Sequence, residues 1–150
     1  MKRLHIHLSV ENLEQNINFY STLFGCPPTV QHDDYAKWML DDPRVNFAIS
    51  NRSSHLGLDH LGIQAENEVE LAAIKQQLDT TQAPVETQEG AACCYARSDK
   101  YWITDPQNIA WEAFHSLSEI PTFNDRNAAS DGENPFACRP DKSKSTSCCG

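Results

Sequence analysis

Two cysteines stand side by side at Cys93 and Cys94, following a turn in the run from Gly90 to Tyr95 that reads Gly-Ala-Ala-Cys-Cys-Tyr. Adjacent thiols are poorly spaced for a structural zinc site, which is tetrahedral and separates each cysteine pair by about two to four residues. They suit a larger, softer, thiophilic centre instead. Trivalent arsenic makes three bonds, so an arsenical carrying one carbon substituent has two positions left, and two thiolates fill them. The alternative uses of such a pair are burial as small hydrophobes and a strained vicinal disulfide. Cysteines recur as Cys138, Cys148 and Cys149. They lie in a polar stretch with no core to pack into, which makes them candidate accessory thiols for a soft ion.

A second set of reactive side chains is spread along the chain, and the elements that carry it repeat. Leu4, Ile6 and Leu8 alternate with His5, His7 and Ser9, the period of a half-buried strand. From Asn12 the period lengthens: Leu13, Ile17, Tyr20, Leu23 and Phe24 recur at helical spacing. Asn12 is placed as N-cap with Gln15 completing a capping box, and Gly25 ends the helix. The pattern predicts short strands over Pro28 to Gln31, Tyr35 to Leu40 and Val45 to Ser50, around a turn at Asp41 to Pro43. After a polar linker, Asn51 to His55, the order begins again. His60-Leu-Gly-Ile-Gln-Ala-Glu-Asn matches His5-Ile-His-Leu-Ser-Val-Glu-Asn, with the Glu-Asn pair at the same offset from the histidine. A helix over Val69 to Leu78 follows, then strands near Val85 to Gln88, Tyr95 to Thr104 and Ile109 to Phe114. Asp105-Pro106 matches Asp42-Pro43. This is the signature of an internal duplication.

The duplication selects among the histidines. His5 and His60 occupy the same place in the two copies, on polar strand faces that a pseudo-two-fold axis brings together. Glu112 lies in Ile-Ala-Trp-Glu-Ala-Phe, where an uncompensated buried charge is costly. Two histidines and a carboxylate with open positions form the facial triad of non-heme Fe(II) oxygenases. The place matching Glu112 in the first copy falls at Ala48 or Ile49, neither of which is a ligand, so coordination positions stay open for dioxygen and substrate. His7 shares a face with His5 and rivals it as first ligand; the repeat alignment favours His5. His32, His55 and His115 fall in loops or at strand ends and take no role.

The length suits a single domain plus a tail. A formal net charge of −9 without a basic cluster argues against nucleic acid or anionic membrane as partner. The N-terminus has no apolar run of signal-peptide length, and nowhere do enough apolar residues follow one another to span a bilayer. The expectation is a cytoplasmic protein whose six cysteines serve metal or catalysis rather than disulfides. Beyond Phe114 the periodicity fades into a polar tail, too hydrophilic to order itself by burial.

The doubled pattern with His5, His60 and Glu112 resembles the vicinal oxygen chelate superfamily of glyoxalases, fosfomycin-resistance proteins and extradiol dioxygenases. Within it, the block from Cys93-Cys94-Tyr to Ile-Ala-Trp-Glu112 is similar to the organoarsenical carbon-arsenic lyases and the cadmium-induced proteins. The resemblance implies an α+β fold of two tandem βαβββ modules, about 2–52 and 57–117, forming one curved, metal-enclosing sheet over 2–117, followed by a flexible tail over 118–150. It further implies Fe(II), or another divalent metal, on His5, His60 and Glu112, with O2 as co-substrate. Cys93 and Cys94 would bind and present the substrate, a trivalent methyl or aryl arsenical cleaved to arsenite. The chain would act as a monomer or homodimer.

Overall fold

The computed structural model describes residues 1–93 and 95–119, the side chains of Cys93 and Glu119 excepted. The predicted repeat is realised element by element. β1 (Arg3–Ser9), α1 (Leu13–Phe24), β2 (Val30–His32), β3 (Tyr35–Asp41) and β4 (Arg44–Ser50) are followed by β5 (Gly57–Ala65), α2 (Glu68–Asp79), β6 (Glu86–Cys93), β7 (Ala96–Thr104) and β8 (Ala110–Glu119). The strands form one curved eight-stranded sheet in the order β2-β3-β4-β1-β5-β8-β7-β6. That order is symmetric about the junction of β1 and β5, which run antiparallel, while β1–β4 and β5–β8 are parallel pairs.

The duplicated Glu-Asn pair explains where both helices begin. Asn12 and Asn67 are the N-caps, and each side-chain oxygen accepts a hydrogen bond from the backbone N–H three residues on, at 2.9 Å. α1 ends at Gly25, whose φ of 70° is the left-handed conformation that terminates helices. One face of each half-sheet is apolar and lies under its helix. Leu13, with Ile17, Tyr20 and Phe24, packs on Trp38, Phe47 and Ile49, and the Trp38 indole donates to the Cys26 carbonyl. In the second half Leu71 and Ile74 pack on Ala65 and Ala113. The opposite, concave face collects polar groups that are buried nonetheless, among them His5, His7, Asn46, His60, Ser98, Lys100 and Glu112. Strand alternation produces both surfaces: residues at even spacing share a face.

Two boundaries differ from the pattern-based expectation. Gly90 does not open a turn; it lies inside β6 at a register shift between Gln88 and Ala91, with φ of 59°. The Asp99 carboxylate accepts from the Gly90 N–H at 2.7 Å, replacing the ladder bond that the bulge skips. β8 runs on to Glu119, past the point at Phe114 where hydrophobic periodicity fades, because Ser116, Ser118 and Glu119 pair with Ser98, Arg97 and Ala96 of β7. The remainder of the predicted tail, with Cys138, Cys148 and Cys149, lies outside the described residues, as does Cys94. Among the described residues no helix is long and apolar enough to cross a membrane.

Candidate metal centre

His5 reaches the concave face from β1 and His60 from β5, the adjoining central strands. Glu112 comes from β8, next to β5. Their donor atoms converge: His5 Nε2 lies 3.2 Å from His60 Nε2, and Glu112 Oε2 lies 3.8 Å from the first and 3.6 Å from the second. All three residues are buried. The strand register makes Glu112 the partner of Gly62 on β5. A Cβ at position 62 would sit 2.4 Å from the Glu112 carbonyl oxygen, so the close approach that brings β8 alongside requires glycine there.

The hydrogen bonds on the far side of each ring decide what faces inward. His5 Nδ1 lies 3.0 Å from the Asn46 carbonyl, which can only accept, so Nδ1 carries the proton. His60 Nδ1 lies 2.7 Å from the Asp59 carboxylate, also an acceptor. Nε2 of each ring is thus the nitrogen that the neutral imidazole offers as a lone-pair donor to a metal. Two such nitrogens and a carboxylate oxygen meet in a buried space, where either a proton on His60 or a cation bound between them balances the carboxylate. Two nitrogens bound to one divalent ion at about 2.0–2.1 Å stand roughly 2.9–3.4 Å apart. The 3.2 Å between the imidazoles falls in that range, so the donor set fits a divalent transition metal. Partners that orient the non-ligating nitrogen, as Asn46 and Asp59 do here, are usual at metal-binding histidines.

The two imidazoles differ in their ionisation. Burial, then the neighbouring His60 charge, pushes His5 down to about 4, so it is neutral at physiological pH. At His60 burial also acts to lower the pKa, but the hydrogen bonds to Asp59 and Glu112 outweigh it and the net shift is upward. Burial would raise Glu112, yet the Lys100 ammonium and the two histidines hold it far below the ordinary carboxylate range. Lys100, on β7, is itself buried, and its Nζ donates to Glu112 Oε1 at 2.6 Å. One carboxylate oxygen is therefore held by the lysine and the other is turned to the imidazoles.

Lys100 was not singled out by the sequence reading. Its signal is a lysine on the same strand period as Ser98 and Trp102, both of which are buried. His7 is also part of the cluster: one nitrogen each from His5, His7 and His60 lie within 4.8 Å of one another. The register resolves the fourth place in favour of Ala48 over Ile49, because Ala48 pairs with His7 on β1 as Glu112 pairs with Gly62 on β5.

His32 has a contact that its position at a strand end did not suggest. The Tyr95 ring stacks on it with centroids 3.5 Å apart, and the Tyr95 hydroxyl donates to Asp34 at 2.6 Å. The β6–β7 hairpin of the second module is thereby tied to the first at the residue following the cysteine pair. Cys93 pairs through its backbone with Ala96 at the end of that hairpin. His115 lies on β8 and His55 in the linker, away from the cluster.

A family model described as the glyoxalase/bleomycin resistance protein/dioxygenase superfamily matches residues 2–113. A trivalent organoarsenical cleaving enzyme of Bacillus sp. (strain MD1) is 40% identical over 123 residues, covering 80% of this chain and 76% of that one. The cadmium-induced protein CadI of Mycobacterium bovis is 32% identical over 142 residues, covering 92% of this chain and 93% of that one. Among solved structures, an extradiol ring-cleaving dioxygenase from B. fuscum aligns with a TM-score of 0.59 at 13% identity. The alignment covers 79% of this chain and 33% of that structure, a likeness of fold.

Proposed function

The chain belongs to the glyoxalase/bleomycin resistance protein/dioxygenase superfamily, and from that membership we propose that it is an Fe(II)- and O2-dependent enzyme cleaving the carbon-arsenic bond of trivalent organoarsenicals. Methylarsenite and aromatic arsenicals are its substrates and arsenite its arsenic product. The observation that carries the reading is the meeting of two imidazole Nε2 atoms and a carboxylate oxygen in a buried space. Relatives named trivalent organoarsenical cleaving enzymes, at 30% to 40% identity, support the substrate class.

His5, His60 and Glu112 would hold the metal, and Fe(II) bound there would supply the reducing chemistry that dioxygen requires. Lys100 occupies Oε1 of Glu112, so the carboxylate offers a single oxygen. Cys93 and Cys94 each form a bond from sulfur to arsenic, and each bond releases one water as an arsenic hydroxyl leaves with the thiol proton. The clasp of Tyr95 on His32 and Asp34 holds this hairpin against the first module, so that chelated arsenical and metal share one enclosure. Such fixing of reactants can lower a barrier by about 7–11 kcal/mol when alignment is good.

A glyoxalase-like isomerase would call for a second carboxylate in the first module, and Ala48 has no donor atom to offer. A thiol protein that sequesters cadmium or arsenite without turnover is the other reading, favoured by the relative named cadmium-induced. Reconstitution with Fe(II) without air, followed by air and methylarsenite with arsenic speciation over time, separates the two. Arsenite that forms only with both iron and dioxygen supports the lyase; methylarsenite that stays bound and intact supports sequestration. Cys93→Ser and Cys94→Ser should each abolish turnover with iron still bound, and full activity in either variant removes the chelation step.

A further inference from the structure

The two modules are related by a pseudo-two-fold, and the relation fails at one pair of positions. In the second module Gly62 on β5 faces Glu112 on β8. The matching pair in the first module is His7 on β1 and Ala48 on β4. Small and large residues have changed places. Where Gly62 has no room for a Cβ, position 7 carries an imidazole; where Glu112 supplies a carboxylate, position 48 supplies a methyl group. The space that a symmetric carboxylate would fill is taken from the neighbouring strand by His7.

We propose that His7 is a fourth protein ligand, standing in for the carboxylate that the first module lacks, so that three imidazoles and Glu112 surround one divalent ion. The inference rests on the metal-centre reading above. His7 is buried, shares the inward face of β1 with His5, and is the direct cross-strand partner of His60. Its ring centroid lies 4.9 Å from that of His60 and 6.2 Å from that of His5. Each of the three rings is held from outside the cluster by one partner: His5 by the Asn46 carbonyl, His60 by Asp59 and His7 by the Ser50 hydroxyl at 2.9 Å. That leaves one nitrogen of each ring for an ion. One ring nitrogen each from His5, His7 and His60 lie within 4.8 Å of one another. Closing them to the spacing of ligands on one ion takes roughly an ångström of movement, within reach of a side-chain rotation. An ion held by four protein donors has fewer open positions than a facial triad.

The deciding measurement is histidine side-chain 15N NMR of the full chain, metal-free and then with one equivalent of Zn2+ as a diamagnetic probe. Three imidazoles, those of His5, His7 and His60, should show metal-bound nitrogen shifts. Shifts confined to His5 and His60 overturn this inference and leave the metal centre standing; a chain that binds no zinc overturns both. In parallel, Co2+ titration followed by visible absorption should show that His7→Ala weakens binding by about tenfold or more and alters the ligand-field bands. Unchanged affinity and unchanged bands overturn the assignment. The double variant His7→Gly with Ala48→Glu rebuilds the second module's pair in the first and should recover both affinity and a four-donor spectrum; failure to recover affinity in a folded protein counts against it. The zinc experiment uses the unmodified chain, so a variant that does not fold leaves the test intact.

Discussion

Replacing Lys100 by Met keeps the apolar stem and removes only the ammonium that faces Glu112. The two groups are 2.6 Å apart and their side chains are 5% and 4% exposed, so neither has water to fall back on. Removing one partner of a buried ion pair costs about 3–5 kcal/mol, because the charge left behind is uncompensated. His60 can take up part of this deficit, since its pKa is raised, after burial is outweighed, by Asp59 and Glu112. The lower half of the range is therefore expected. Each kcal/mol moves the melting temperature of a chain of this size by about 2–4 °C, so metal-free Lys100→Met should melt roughly 6–16 °C lower. A bound divalent cation supplies the positive charge that the lysine no longer provides. Metal should consequently stabilise the variant more than the parent, and the two should melt closer together when loaded. Circular dichroism melts in chelator and in saturating Co2+ measure both differences. If metal-free Lys100→Met melts within about 2 °C of the parent, or if metal stabilises both proteins equally, the charge balance between Lys100 and the ion is wrong.

Other perturbations test the frame around the centre. Gly62→Ala would press a methyl group into the Glu112 carbonyl oxygen at 2.4 Å; forcing such an overlap typically costs about 1–3 kcal/mol, and the shift of β8 should weaken Co2+ binding in the same titration. Asp105 accepts from the Ile109 and Gln107 N–H groups and from the Trp111 indole, and the Ile109 bond leads in holding its pKa below 3.8. A depressed folded pKa contributes stability above the unfolded value that is lost as pH falls through the folded one. Asp105→Asn should therefore melt below the parent at neutral pH, with the gap closing under acid conditions; a gap independent of pH would refute the assignment. Because β8 pairs through Glu119, truncation after that residue leaves the sheet intact. If Cys138, Cys148 and Cys149 deliver substrate, turnover at low arsenical should drop while turnover at saturation holds, and equal rates at both would remove their role.

The chain's local pattern determined much of this protein. Alternation in Leu4 to Val10, the shift to helical spacing after Asn12 and the recurrence of His-(x)5-Glu-Asn were enough to identify two copies of one module and to pair His5 with His60. Strand period, helix caps and repetition are properties of neighbouring residues and survive in a linear reading. Pattern weakened where strands are held by partners rather than by their own hydrophobicity. Gly90 looked like a turn but is a bulge fastened by Asp99, and β8 outlasts its apolar run because β7 continues to pair with it. The centre needed the tertiary structure for a similar reason. Whether Ala48 or Ile49 matches Glu112 depends on register between strands. Lys100 matters because β7 turns it onto the Glu112 carboxylate, and His7 because it faces His60 across β1 and β5. None of those distances is carried by sequence separation, since closing a curved sheet brings together residues that the chain order keeps apart.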